Sequence, residues 1–69
     1  MNYVHVFDFA KWLHKELMLK VWTGADLARI SGVNKVSIYH YLEGEREPQF
    51  HSLQLILRAL GKKITITDI

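Results

Sequence analysis

The chain has 69 residues, 49% of them hydrophobic and 23% charged, with a formal net charge of +2. That length allows one small domain, since a chain of about 60 residues buries only about 60% of the surface it exposes unfolded, and the composition excludes a disordered tail. The absence of cysteine excludes disulfides and thiolate zinc sites as staples, and the mild positive charge is compatible with nucleic acid without singling it out.

From the N-terminus, Tyr3-Val4-His5-Val6-Phe7 is β-branched and aromatic and predicts a short strand. Asp8 then caps a helix over residues 9–20, in which Phe9, Leu13 and Leu17 recur at every fourth position. Trp12 widens that apolar stripe, and Lys11, His14, Lys15 and Glu16 form the outer face. Thr23-Gly24-Ala25-Asp26 has the spacing at which each polar side chain satisfies an orphan amide of a helix's first turn, so a second, short helix opens here and ends near Ser31-Gly32. Asn34 caps a third helix over 35–43, stopped by Gly44, with Ile38 and Leu42 or Tyr41 turned inward. A polar loop follows, then a fourth helix over about 49–60 whose apolar positions are Phe50, Leu53, Ile56, Leu57 and Leu60, ended by Gly61. In the tail, Ile64 and Ile66 alternate with Thr65 and Thr67, the period of a strand with one covered face.

The segment 24–42 is the most informative. Two short helices joined by three or four residues cross sharply only where certain positions are small or apolar. Ala28 has to be small because the next helix packs across it, and Gly32 sits in the turn, where a positive φ is easiest without a side chain. Leu27, Val33 and Ile38 fill the wedge between the helices. Ala28, Gly32 four residues on and Ile38 six beyond that have the spacing of a helix-turn-helix. The expected fold is mainly α: one domain over 1–69, a compact four-helix unit with its helix-turn-helix at about 24–43, and short β-strands at the two ends, the C-terminal one at about 62–68.

Thr23-Gly24-Ala25-Asp26-Leu27-Ala28, Gly32-Val33-Asn34, Ile38, Gly44, Pro48 and Leu60-Gly61 together resemble the phage Cro and repressor-type (XRE-like) helix-turn-helix domains, lambda-repressor-like in fold, over roughly residues 9–61. The resemblance implies a sequence-specific DNA-binding transcription regulator, not an enzyme, with its third helix in the major groove. It implies that Lys35, Val36 and His40 approach bases. Lys35 can donate to guanine or to a phosphate, Val36 can meet a thymine methyl, and His40 can donate or accept at a base edge. Ser37 and Tyr39 suit base edges or phosphate oxygens; Ser37 is grouped here with the base-facing residues and Tyr39 with the phosphate-facing ones. The amide end of the second helix at Thr23 and Gly24 suits a phosphate, as do Arg46 and His51. Two features depart from the family: Gly24 stands where a glutamine is frequent, and the loop of Glu43, Glu45, Arg46 and Glu47 is net acidic.

Helix-turn-helix proteins commonly bind pseudo-palindromic sites as dimers, with reading helices about one DNA turn, ~34 Å, apart. A strand holding Ile64 and Ile66 pairs either with 3–7 of its own chain or with its own copy. An unpaired apolar edge invites association, so a homodimer through this region is expected. Trp12 and Trp22 read as core or core-edge residues, Tyr39 as exposed and Tyr41 as packed. His5, His14, His40 and His51 lack metal-ligand spacing, so no metal is expected, and no cofactor or small-molecule ligand. Ser31, Ser37 and Ser52 each have a capping, exposed or helical place and the carboxylates are scattered, so no catalytic set forms. No apolar run approaches the ~20 residues that cross a bilayer, and the first residues have no leader pattern. The expected partners are therefore double-stranded DNA and a second copy, without membrane, in the cytoplasm at the nucleoid. A phage-type repressor on a palindromic operator is the leading reading. The alternative is a protein-interaction module that keeps the fold without binding DNA.

Overall fold

The computed structural model describes residues 8–62. Four helices follow one another: α1 (Phe9–Lys20), α2 (Gly24–Ser31), α3 (Lys35–Leu42) and α4 (Phe50–Ala59). Apart from Lys62, the two segments read as strands, and with them Ile64 and Ile66, lie outside the described residues, and among the described residues there is no strand.

Local chemistry sets where the helices start. The Asp8 carboxylate accepts the Lys11 amide at 3.2 Å, one of the four first-turn donors that a helix leaves without a backbone partner. At α2 the Thr23 amide donates to the Asp26 carboxylate at 2.9 Å and the Asp26 amide to the Thr23 hydroxyl at 3.1 Å, a reciprocal capping box. Asn34 Oδ1 takes the amides of Val36 and Ser37 at 2.8 and 3.3 Å, opening α3. Between α2 and α3, Gly32 adopts φ 81, and nothing lies within 4 Å of where a Cβ would stand. Backbone conformation, not space, therefore asks for glycine in this turn.

The end of α1 departs from this economy. The Val21 amide donates to the Met18 carbonyl at 3.1 Å and the Trp22 amide to the Leu17 carbonyl at 2.9 Å. That is the paired closure that usually takes glycine at its left-handed position. Here Val21 occupies it with φ 60, the one positive φ outside glycine among the described residues.

The interior is a single cluster to which every helix contributes one fully buried side chain: Leu13, Leu27, Ile38 and Ile56. Leu17, Val33, Tyr41, Leu42 and Leu60 complete it, with Phe9, Trp12, Trp22, Ala28, Leu55 and Ala59 packed at its edge. Leu27, Val33 and Ile38 are buried in this core, and Ala28 is partly buried against it. The α2 helix packs against both α3 and α4, and α1 packs against α3. The Phe9 ring meets Tyr41 edge-on at 6.4 Å and Trp12 at 5.7 Å.

Two expectations, for Phe50 and Glu16, need correction. Phe50, read as an inward position of α4, is 55% exposed; with about 3.6 residues per turn, six positions carry it roughly a third of a turn around the helix from Ile56. His14 is exposed, in keeping with its outer-face reading, and its Nε2 also donates to the Leu42 carbonyl of α3 at 3.0 Å. Glu16 is half-buried and lies 3.8 Å from the Lys62 ammonium, which ties the chain beyond α4 to α1. None of the described helices is long and apolar enough to cross a membrane.

Candidate nucleic-acid interface

The α3 helix has two faces of different chemistry. Ile38, Tyr41 and Leu42 are buried against the other helices. Lys35, Val36 and Tyr39 are exposed, Val36 to 62%, while Ser37 and His40 are half-buried. No acid pairs with Lys35 among the described residues. The free side of α3 therefore offers an ammonium, an aliphatic surface and a hydroxyl within its first turn, with an imidazole one turn further on. Asn34 already occupies the amides of Val36 and Ser37, so beyond the Lys35 amide the N-terminal half of α3 presents its side chains.

The opposite arrangement holds at the start of α2. The capping box uses the amides of Thr23 and Asp26, and the amides of Gly24 and Ala25 have no acceptor among the described residues. Gly24 is buried, and the reason is Tyr39. A Cβ at Gly24 would stand 2.8 Å from Tyr39 Cζ, 2.9 Å from its Cε1 and 3.1 Å from Leu42 Cδ1, closer than packed carbons approach. The tyrosine ring therefore lies directly on the backbone of α2's first turn. Tyr39 is still 40% exposed, and its hydroxyl, one bond beyond Cζ, stays at this junction without a partner among the described residues. Tyr41 packs in the core, so the two tyrosines divide as the sequence suggests.

The loop after α3 adds charge of both signs. His40 Nδ1 lies 2.7 Å from Glu45 Oε1. Ligand-type atoms of His40, Glu43 and Glu45 fall within 4.8 Å of one another, a cluster that the histidine spacing does not reveal because its acids come from the neighbouring loop. Both glutamates are exposed. Arg46 and His51, in the loop and in the first turn of α4, are exposed and make no ion pair among the described residues. At α2 the Asp26 carboxyl is held below the usual carboxylate range, chiefly by the Thr23 amide, then by the Thr23 hydroxyl and Arg29.

Of the residues singled out in the sequence, Lys35 and Val36 share the free N-terminal half of α3, and Tyr39 is brought onto Gly24. Thr23 caps α2 beside that contact. Arg46 and His51 join no hydrogen bond or ion pair with this group. Sequence reasoning missed the partnership of His40 with Glu45 and the seat that Gly24 gives Tyr39. The first is signalled only by a five-residue separation across a helix end, and the second joins residues fifteen positions apart whose contact depends on how α2 and α3 cross.

The helix-turn-helix family model matches residues 14–66, which include α2, the turn, α3 and α4. No curated protein and no solved structure matches the chain. With two short capped helices joined by a glycine turn, an apolar wedge between them and one free helix face, the chain belongs to the Cro and repressor-type helix-turn-helix family of DNA-binding regulators.

Proposed function

We propose that this chain is a phage-type transcriptional repressor that reads a palindromic operator as a homodimer. Its α3 helix enters the major groove. The observation that carries this reading is the division of α3: one side buried in the core, the other presenting exposed Lys35 and Val36 from a capped N-terminus.

In this reading Lys35, Val36, Ser37 and His40 face bases. Lys35 donates to guanine O6 or N7, Val36 covers a thymine methyl, and Ser37 and His40 hydrogen-bond at base edges. Phosphates are held by the Thr23 and Gly24 end of α2, by the Tyr39 hydroxyl, and by Arg46 and His51. The unoccupied amides of Gly24 and Ala25 suit an anion, since helix N-termini favour negative charge. A second copy joins through Ile64 and Ile66, setting two α3 helices about one DNA turn apart.

Selection of bound duplexes from a random pool tests the reading, followed by a salt titration with the parent chain and with Lys35→Ala. The expected result is a roughly two-fold symmetric site and a steep salt slope. Lys35→Ala should then relax preference at one position by about 1–3 kcal/mol. Absence of any enriched duplex would contradict it and turn attention to a protein partner, a role with which the exposed Glu43, Glu45 and Glu47 are compatible.

A further inference from the structure

The acidic loop next to the free face of α3 is at odds with a surface that meets phosphates, and its geometry assigns one of those acids a task. The α3 helix closes on Gly44, with φ 77. The Gly44 amide donates to the Tyr41 carbonyl at 3.1 Å, and the Glu45 amide donates to the His40 carbonyl at 3.0 Å. This pair of bonds folds the residue after the glycine back over the residue five positions earlier, and an apolar contact commonly forms between them. Here the two positions are Glu45 and His40. Their side chains meet in a hydrogen bond of 2.7 Å between Nδ1 and Oε1. Backbone and side chain thus fasten Glu45 to the same residue twice.

The chemical consequence is specific. An ionised carboxylate only accepts, so Nδ1 of His40 carries a proton and donates it to Glu45. In the neutral imidazole the other nitrogen, Nε2, is then a bare acceptor. An acceptor in the major groove matches the exocyclic amines, N6 of adenine and N4 of cytosine. It does not match O6 and N7 of guanine or O4 of thymine. A histidine released from Glu45 is free to take the other tautomer and to donate from Nε2 instead.

We propose that Glu45 is a positioning residue that sets the base preference of His40. By fixing the proton on Nδ1, it directs His40 to a base that offers an amine, adenine or cytosine, at the position His40 meets. The inference rests on the reading of α3 as the base-contacting helix. It also accounts for an acid in this loop, because charge repulsion from phosphates is accepted there in exchange for a defined tautomer.

The test compares duplex selection by the parent chain, Glu45→Ala, Glu45→Gln, His40→Ala and Glu43→Ala at about pH 8. Affinity for random duplex and the melting temperature are measured on the same proteins. One position of the parent's site is expected to favour adenine or cytosine over guanine by about tenfold, with the preference lost in His40→Ala. In Glu45→Ala it should flatten or turn toward guanine, while affinity for random duplex holds or rises because one negative charge is gone. Glu45→Gln keeps an acceptor for Nδ1 and should keep the preference, and Glu43→Ala, which removes an acid without that bond, should keep it too.

A purely structural role for Glu45 would instead lower the melting temperature and both affinities together, and that result overturns the inference. An enriched site whose preferences are unchanged in Glu45→Ala or in His40→Ala overturns it as well, leaving the DNA reading intact. No enriched site for the parent chain removes the DNA reading, and the inference with it.

Discussion

Val21 holds φ 60 and ψ 43 at the end of α1, where a β-branched side chain crowds its own backbone. It is 88% exposed, so truncating it forfeits little packing. Val21→Gly should therefore raise stability, since relief of about 1–2 kcal/mol exceeds the added unfolded-state freedom of glycine, about 0.5–1 kcal/mol. A lower denaturation midpoint would contradict this. Gly24 presents the reverse case, because there space and not φ is limiting. A Cβ 2.8 Å from Tyr39 Cζ must displace the ring, so Gly24→Ala should cost about 1–3 kcal/mol, the usual effect of overpacking. The cost should shrink in a Tyr39→Ala background, and additive effects across the double-mutant cycle would show that the two residues do not share this contact. Neither feature is visible in the sequence. Val21 looks like any surface valine, and Gly24 reads as a departure from its family until the ring that fills its place is seen.

At the level of single helices, much was legible because the determinants are local. Asp8, Thr23 with Asp26, and Asn34 all cap where their spacing places them. What depended on packing was not: His14 meets a carbonyl of α3 twenty-eight residues away, and Phe50 lies off the buried arc of α4. The capping box of α2 has a consequence for pH. Hydrogen bonds from the Thr23 amide and hydroxyl, with Arg29 beside it, lower the Asp26 value in the folded chain, so the unfolded chain binds the proton more readily. The contribution is therefore fully present above the ordinary aspartate value, about 3.9, and is lost as pH falls through the lowered folded value. The difference in denaturation midpoint between the parent and Asp26→Asn should narrow progressively in that acid range. A difference that stays constant down to about pH 2 would contradict the assignment.

For the whole molecule, one fully buried residue from each helix, Leu13, Leu27, Ile38 and Ile56, holds α3 so that its other side is free. The sequence showed this division because Ile38 and Leu42 follow helical spacing while Lys35 and Val36 fall outside it. It also exposed the family through the spacing of Ala28, Gly32 and Ile38. It did not show the contacts that tune the free face, since Tyr39 on Gly24 and Glu45 on His40 arise from helix crossing and from the closure of α3. The central claim is that this face meets DNA. Amide chemical shifts of nitrogen-labelled protein, followed as the selected duplex is added, test it most directly. The largest changes should fall at Lys35, Val36, Ser37, Gly24 and Ala25, with Met18, Leu19 and Val21, exposed around the end of α1, unaffected. Changes centred on Met18, Leu19 and Val21, with α3 silent, would contradict it.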